Sequence, residues 1–356
     1  MSVALAGALA NEGLDVHFAS ATGPLRANLD PRVTFHATDN PNHLPLRVAH
    51  TFSLLLREIR PDVVHSHGAS CAMVASVARR ASHVPAIRVL THHSRIFRRA
   101  PRWIAGPIMA RSADHYIAIS RDKQADMESM GIPRAKISLI PNGVDVDRVA
   151  ARVAEIDRAR VRRELGIPEG ARVMTMVGRV IREKRFDLFV RIAAETARQL
   201  PAQSVHALVV GDGLDLESVR KVARDEGHPA TIHFLGFQRD IYPSLAVSDV
   251  IVFPSQHPEV LPMILIEASA AGCAIVCSDI PGNREIVTDA LNGRVVRGGV
   301  EAFAHVVASV LEKETIAGQL AAAAQANARQ RFDQKLVARE TRALYERLLA
   351  AREPKG

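Results

Sequence analysis

Residues Val250–Asp279 read V-I-V-F-P-S-Q-H-P-E-V-L-P-M-I-L-I-E-A-S-A-A-G-C-A-I-V-C-S-D. An apolar, β-branched run, Val250–Phe253, is stopped by Pro254. A helical pattern follows over Ile264–Ala271, then Gly272 and a second apolar run, Ala274–Cys277. Strand, loop, helix and strand within so short a span is a βαβ unit, and both strands read as buried on two faces. Two acids mark it, Glu259 in the loop and Glu267 on the helix, with seven residues between them. Open α/β sheets bind ligands outside the carboxyl ends of their strands, and that edge is where Glu259 falls. Val260 and Leu261 lead into the helix, whose first N–H groups can hold a phosphate. Glu267 shares the helix with Met263-Ile-Leu-Ile266, where an unpaired acid is costly.

Upstream, Val177-Gly-Arg-Val-Ile-Arg-Glu-Lys-Arg-Phe186 follows another apolar strand. Gly178 opens space at the strand end, and Arg179 and Lys184 put two cations on a short loop, which suits a diphosphate. Val209-Val-Gly-Asp-Gly213 is a further strand-to-glycine turn at Gly211, lacking the rest of a dinucleotide fingerprint.

The same alternation runs through the chain. Strands are predicted at Leu14–Ala19, Val33–His36, Asp62–His65, Ile87–Thr91, Asp114–Ile119, Ile137–Ile140, Val173–Val177, Val205–Val210 and Ile232–Leu235, besides the two above, with amphipathic helices between them. The tail from Thr315 to Arg352 reads as helix. At 356 residues the chain has the length of two domains. The charged stretch Ala150–Arg163 and the punctuation Gly166-Ile-Pro-Glu-Gly170 place the division near 1–150 and 151–330, with a closing helix over 331–356 expected to return towards the first domain.

These pieces together resemble the family-4 retaining glycosyltransferases of the GT-B fold, as do Pro141-Asn-Gly-Val-Asp145, Phe234-Leu-Gly236, Pro281-Gly-Asn-Arg-Glu-Ile286 and Asn292-Gly293. The resemblance implies an α/β architecture of two Rossmann-like domains with parallel sheets facing a cleft. It implies acceptor binding in the first domain and nucleotide-sugar binding in the second. It gives Arg179 and Lys184 the donor diphosphate, Glu259 the donor sugar and Glu267 the nucleotide ribose. Gly178, Gly211, Val260 and Leu261 complete the donor side.

On the acceptor side, Asp62-Val-Val-His-Ser-His-Gly68 and Leu90-Thr-His-His-Ser94 are similar to family segments. His67, His92 and His93 are the candidates there. Spacing selects His93 to face the reacting sugar, with His92 the alternative; an imidazole can orient a hydroxyl or support charge. Capping of strand ends is the plainer reading of these histidines and of His65.

The implied reaction is metal-independent hexosyl transfer from a nucleotide diphosphate sugar, UDP before GDP, to an acceptor hydroxyl with retention. The nucleotide sugar is a substrate, so no cofactor is expected. Asp145-Val-Asp147 looks like a metal-binding D-x-D but sits in the interdomain segment, and no metal site is expected. Two rival readings are a sugar-nucleotide epimerase on the same fold and an inactive partner subunit.

Three departures from the family pattern stand out. Val260 replaces the usual Gly, which is expected to constrain the phosphate-facing backbone. Arg185 replaces the Gly that often follows the Lys, a change expected to matter little. The family's first strand and Gly-Gly loop are not matched before Met1-Ser-Val-Ala-Leu5, and a start codon called too late is the favoured explanation.

Lys plus Arg total 46 against 38 acids, a formal +8. Residues 1–150 carry 18 bases and 12 acids, and no acid lies between Asp62 and Asp114. In that gap Arg88, Arg95, Arg98, Arg99, Arg102 and Arg111 bracket Phe97 and Trp103, a pattern that suits an anionic membrane surface and a lipid-linked or cell-envelope glycan acceptor. Aromatics at 4% argue against a nucleic-acid partner. The three cysteines, Cys71, Cys273 and Cys277, fit no disulfide or zinc pattern and read as small buried apolar residues. With no eighteen-residue apolar run and no signal peptide recognised, a cytoplasmic protein, peripheral on the inner face of the plasma membrane, is expected.

Overall fold

The computed structural model describes residues 1–40, 44–93, 102–226, 230–257 and 259–352. It divides into two compact units. One joins Met1–Gly143 to Gln334–Gly356; the other is Val144–Asp333.

The second unit is a six-stranded parallel sheet. Numbering strands along the whole chain, β1 (His17–Ala21), β2 (Thr34–Thr38), β3 (Val63–His67), β4 (Ile87–Thr91), β5 (His115–Ala118) and β6 (Ile137–Leu139) belong to the first unit. The second holds β7 (Arg172–Val177), β8 (Val205–Val210), β9 (Thr231–Gly236), β10 (Val250–Phe253), β11 (Ala274–Ser278) and β12 (Arg294–Val296) in spatial order β12-β11-β10-β7-β8-β9. All residues of β8, β10 and β11 are buried, as continuous Val/Ile runs require when helices cover both faces. Helix Phe186–Gln199 packs against Val300–Glu312, and Met263–Ala270 packs against Glu314–Arg331.

The boundary falls at 143/144 and not at 150. Helix Val146–Ala154 buries Val146 and Val149 and packs against helices Tyr242–Val247 and Met263–Ala270, so it belongs to the second unit. Asp145 accepts from the Arg148 N–H (3.0 Å) as its N-cap, and Asp147 pairs with Arg329. The D-x-D lookalike is thus occupied in structural work. The long tail breaks into two helices at Phe332, whose carbonyl accepts from the Val144 N–H (2.9 Å), closing the second unit where it began.

In the first unit, β3-β4-β5-β6 form one parallel sheet and β1-β2 another. Alternation sends Val89 and Ile117 to one face, against Leu9, Val337, Leu344 and Tyr345, and Leu90, Tyr116 and Ala118 to the other, against Met109 and Met127. The C-terminal helix Gln334–Ala350 is therefore core for this unit.

Two expectations change here. Cys71 is exposed, whereas Cys273 and Cys277 are buried. Arg88 is not a surface cation. Its side chain is 13% exposed, its guanidinium is held by Asp114 (2.7 Å), which leads into β5, and it donates to the Arg111 carbonyl (3.1 Å). Arg95, Phe97, Arg98 and Arg99 lie outside the described residues, as do the side chains of Arg102 and Trp103. No helix among the described residues is long and apolar enough to cross a membrane.

Leu344 is 2% exposed within this core. Leu344→Ala is expected to cost about 2–4 kcal/mol in denaturant unfolding of the first unit.

Candidate functional site

β7 pairs with β8 over its whole length and, on its other edge, pairs with β10 at Val250 opposite Met174 and Ile251 opposite Thr175. The chain order reverses direction across this pair, so the loops after β7 and β10 diverge and leave a crevice at their carboxyl ends. Gly178, Arg179 and Lys184 follow β7; Glu259 follows β10.

Glycine is required on the β7–β8 side by close approach. The Gly178 N–H donates to Val210 O (2.9 Å), the Val180 N–H to Asp212 O (2.9 Å) and the Gly211 N–H to Gly236 O (2.8 Å), carrying the ladder past the strand ends. A Cβ on Gly211 would lie 1.8 Å from the Gly178 carbonyl oxygen, and one on Gly213 would lie 2.2 Å from that of Val180. Gly211 also has φ +138°. The Gly-Asp-Gly turn lets two backbones meet, and so fixes the segment that bears Arg179.

Arg179 is exposed, and its side chain makes no hydrogen bond or ion pair among the described residues. Lys184 closes a 3-10 turn over Arg182–Lys184. Its ammonium forms an ion pair with Glu259 and lies 5.2 Å from the centroid of the Phe253 ring. The two side chains are only 20% and 19% exposed. The structure therefore brings the predicted diphosphate cation and the predicted sugar-binding acid into direct contact.

The Glu259 loop is held from three sides. Ser255 Oγ donates to Glu183 O (3.3 Å), which ties the loop to the Lys184 turn. The Arg185 guanidinium bonds Gln256 and also Asp187 (Nε–Oδ1 2.9 Å). Gly282, at the start of the Pro281–Arg284 helix, sits so close that a Cβ there would lie 2.1 Å from Glu259 O. Beside it, buried Asn283 donates to Ser278 O (2.9 Å), and Ser278 Oγ bonds Ser255 O.

Two of the three departures from the family pattern are revised by this geometry. Arg185 has φ +61°, a left-handed conformation that glycine adopts freely and arginine does not. Its guanidinium clamp offsets that strain, so the change is consequential. Val260 is not among the residues with positive φ, so its Cβ imposes no left-handed strain.

After Leu261, which is buried, helix Met263–Ala270 begins with no side-chain cap on its N-terminal N–H groups. Glu267, on this helix, has its pKa pushed up to about 7 by burial.

In the first unit the histidine candidates separate. His67 Nδ1 and His93 Nε2 are within hydrogen-bond distance at 2.9 Å, with their rings parallel, 2° apart. His65 stacks on His67 and bonds Tyr345 (2.6 Å) and Thr91 (2.7 Å). All three line one cavity with about 30 Å³ of space for water. His93 Nδ1 is buried there with no partner among the described residues. Burial lowers the pKa of His65 to about 3 and of His93 to about 4, and holds that of His67 well below its usual range, so the cluster is neutral near pH 7. His92 is buried and does not line this cavity.

Residues 157–331 match the family model for glycosyl transferases group 1, and residues 2–148 match that for glycosyltransferase family 4. A GDP-mannose-dependent alpha-mannosyltransferase of Mycobacterium tuberculosis is 30% identical over 285 residues, 74% of this chain and 69% of that one. The chain belongs to the group 1 glycosyl transferases. An Escherichia coli UDP-Gal:alpha-D-GlcNAc-diphosphoundecaprenol alpha-1,3-galactosyltransferase is 26% identical over 74% of this chain and 69% of its own length. The structure of Anabaena HepE in complex with UDP and glucose aligns with a TM-score of 0.80 and 20% identity, over 97% of this chain and 96% of that one, and carries the GT-B fold. Some curated relatives are spanned over only about half their length, 55% and 51% in two cases.

In this glycosyltransferase the sequence pointed to Gly178, Arg179, Lys184, Gly211, Glu259 and Glu267. It missed Gly282, Asn283, Ser278 and Ser255, whose signal was only a Pro-Gly-Asn turn and two serines at strand ends.

Two outcomes follow from this geometry. Gly211→Ala displaces the Gly178 carbonyl and is expected to weaken nucleotide binding at least about tenfold by calorimetry, with the helical content of the chain retained. Glu267 ionises at about pH 7 in the fold against 4.5 when unfolded, so its penalty grows from pH 4.5 to 7 and persists above. Glu267→Gln is therefore expected to raise Tm by ~5 °C at pH 8 and to leave it unchanged at pH 4.

Proposed function

We propose that this glycosyltransferase moves a hexosyl unit from a nucleotide diphosphate sugar to an acceptor hydroxyl with retention at the anomeric carbon. The observation that carries the reading is the placement of Arg179, Lys184 and Glu259 at the crevice between β7 and β10, beside an uncapped helix start. As the bond from the anomeric carbon to the phosphate oxygen breaks, negative charge grows on the leaving diphosphate. Arg179, Lys184 and the N–H groups after Leu261 are preorganised to stabilise that charge. The acceptor oxygen bonds to the anomeric carbon on the same face, and its proton passes to the departing phosphate oxygen. Glu259 orients the sugar through its hydroxyls, and Glu267 receives the ribose. Protein cations meet the diphosphate charge, so the reaction needs no metal.

UDP-sugars are the favoured donors and GDP-sugars the second choice, in keeping with the UDP-galactose and GDP-mannose donors of the E. coli and M. tuberculosis relatives. The diphosphoundecaprenol acceptor in the first of those names supports a lipid-linked or cell-envelope glycan as acceptor. The basic stretch of the first unit, without Arg88, supports work at an anionic membrane on the cytoplasmic side.

Arg179→Ala is expected to lower transfer at least about a hundredfold without changing the circular dichroism of the chain, because Arg179 has no structural partner among the described residues. Wild-type turnover in that variant would remove the assignment. Turnover across UDP- and GDP-sugars, with and without EDTA, reads out the donor and the metal. Flotation with anionic vesicles reads out the membrane.

A further inference from the structure

We propose that the Lys184–Glu259 ion pair makes the site select an intact sugar nucleotide over the free nucleoside diphosphate. The inference rests on the donor-site reading above.

Without ligand, Lys184 and Glu259 satisfy each other, and each side chain is about four-fifths withdrawn from water. A diphosphate entering the crevice competes for the ammonium, because a phosphate oxygen is the anion that Lys184 is placed to meet. Glu259 then loses its cation. A carboxylate so far withdrawn from water is poorly compensated by hydration alone, and it now stands beside another anion. Its backbone has no room to retreat. Gly282 packs on the Glu259 carbonyl, Ser255 ties the loop to Glu183 O, and Arg185 grips Gln256.

Two ligands differ in what they return to that carboxylate. A free nucleoside diphosphate takes the ammonium and offers no donor in exchange. A sugar nucleotide takes the ammonium and presents sugar hydroxyls, which donate to Glu259. The exchange is balanced only for the complete donor. Once the hexosyl unit has moved to the acceptor, the hydroxyls leave with it, Lys184 returns to Glu259, and the nucleoside diphosphate is displaced. The ion pair is thus both a selector for substrate and a device that clears product.

The test is isothermal titration of the full chain with UDP, UDP-glucose, GDP and GDP-mannose, in wild type, Glu259→Gln and Glu183→Gln. Glu183→Gln removes the same charge from the neighbouring turn, where the carboxylate is exposed, and so controls for bulk electrostatics. In Glu259→Gln the free nucleoside diphosphate is expected to bind about tenfold tighter than in wild type, and the preference for the sugar nucleotide is expected to collapse towards unity. In Glu183→Gln both ligands shift together and the preference is kept. A wild-type preference retained in Glu259→Gln, or lost equally in Glu183→Gln, overturns the exchange while leaving the donor site standing. Binding of none of the four nucleotides by the wild-type chain overturns the donor-site reading and the exchange together.

Discussion

The candidate donor site depends on a contact that contains no side chain. At the ends of β7 and β8 the backbone of Gly211 lies against the carbonyl of Gly178, closer than any Cβ allows. This contact extends the strand pairing past Val177 and Val210 and turns the chain so that Arg179 emerges at the crevice. Everything on the other side of the crevice is then set relative to it: the Lys184 turn receives Ser255, Ser255 sits at the root of the Glu259 loop, and Gly282 presses that loop from behind. Rigid strands position the loops, close backbone approaches at Gly211 and Gly282 set their paths, and the polar side chains of Ser255, Arg185 and Lys184 tie them to one another. Preorganised donors and charges of this kind are what electrostatic catalysis needs.

Much of the fold was legible because parallel strands buried on both faces leave unmistakable apolar runs. β8, β10 and β11 were read from apolar runs broken only by His206. The strands that carry a polar face were located less well: the first was expected at Leu14–Ala19 and lies at His17–Ala21, because the apolar Leu14 and Val16 pack on the core as a lead-in and the paired segment itself begins with histidine. β12 is only three residues long, Arg294–Val296, too short to leave a period. The break at Phe332 was hidden because helix propensity is high on both sides of it and the interruption is tertiary.

The site was legible to the extent that its chemistry is carried by charged residues at strand ends. Arg179, Lys184, Glu259 and Glu267 announce themselves by type and place. That Lys184 and Glu259 are paired with each other depends on two loops seventy-five positions apart meeting at a strand pair, which no local pattern encodes. Arg185 misled for the opposite reason. Its identity looked like tolerated variation, and only the backbone angle reveals that the position asks for glycine and that a guanidinium clamp compensates. The histidines were legible as a group, while their division into a stacked set of His65, His67 and His93 and a separately buried His92 comes from alternation along β3 and at the end of β4. The basic surplus was the least informative feature: Arg88 is consumed by Asp114 inside the unit that carries the excess.

The C-terminal helix gives the molecule an order of assembly that its domain order conceals. Val144–Asp333 is one uninterrupted stretch, so the second unit has its whole core as soon as its last helix, Glu314–Arg331, is made. The first unit is begun earlier yet lacks Val337, Leu344 and Tyr345 until helix Gln334–Ala350 is made. During synthesis the later unit can finish first, and the earlier one must wait for helix Gln334–Ala350 to complete the face that Val89 and Ile117 share with Leu9. A ribosome that stalls short of Gln334 thus leaves a complete second unit attached to an incomplete first one, a partly exposed sheet face that chaperones and proteases are equipped to notice.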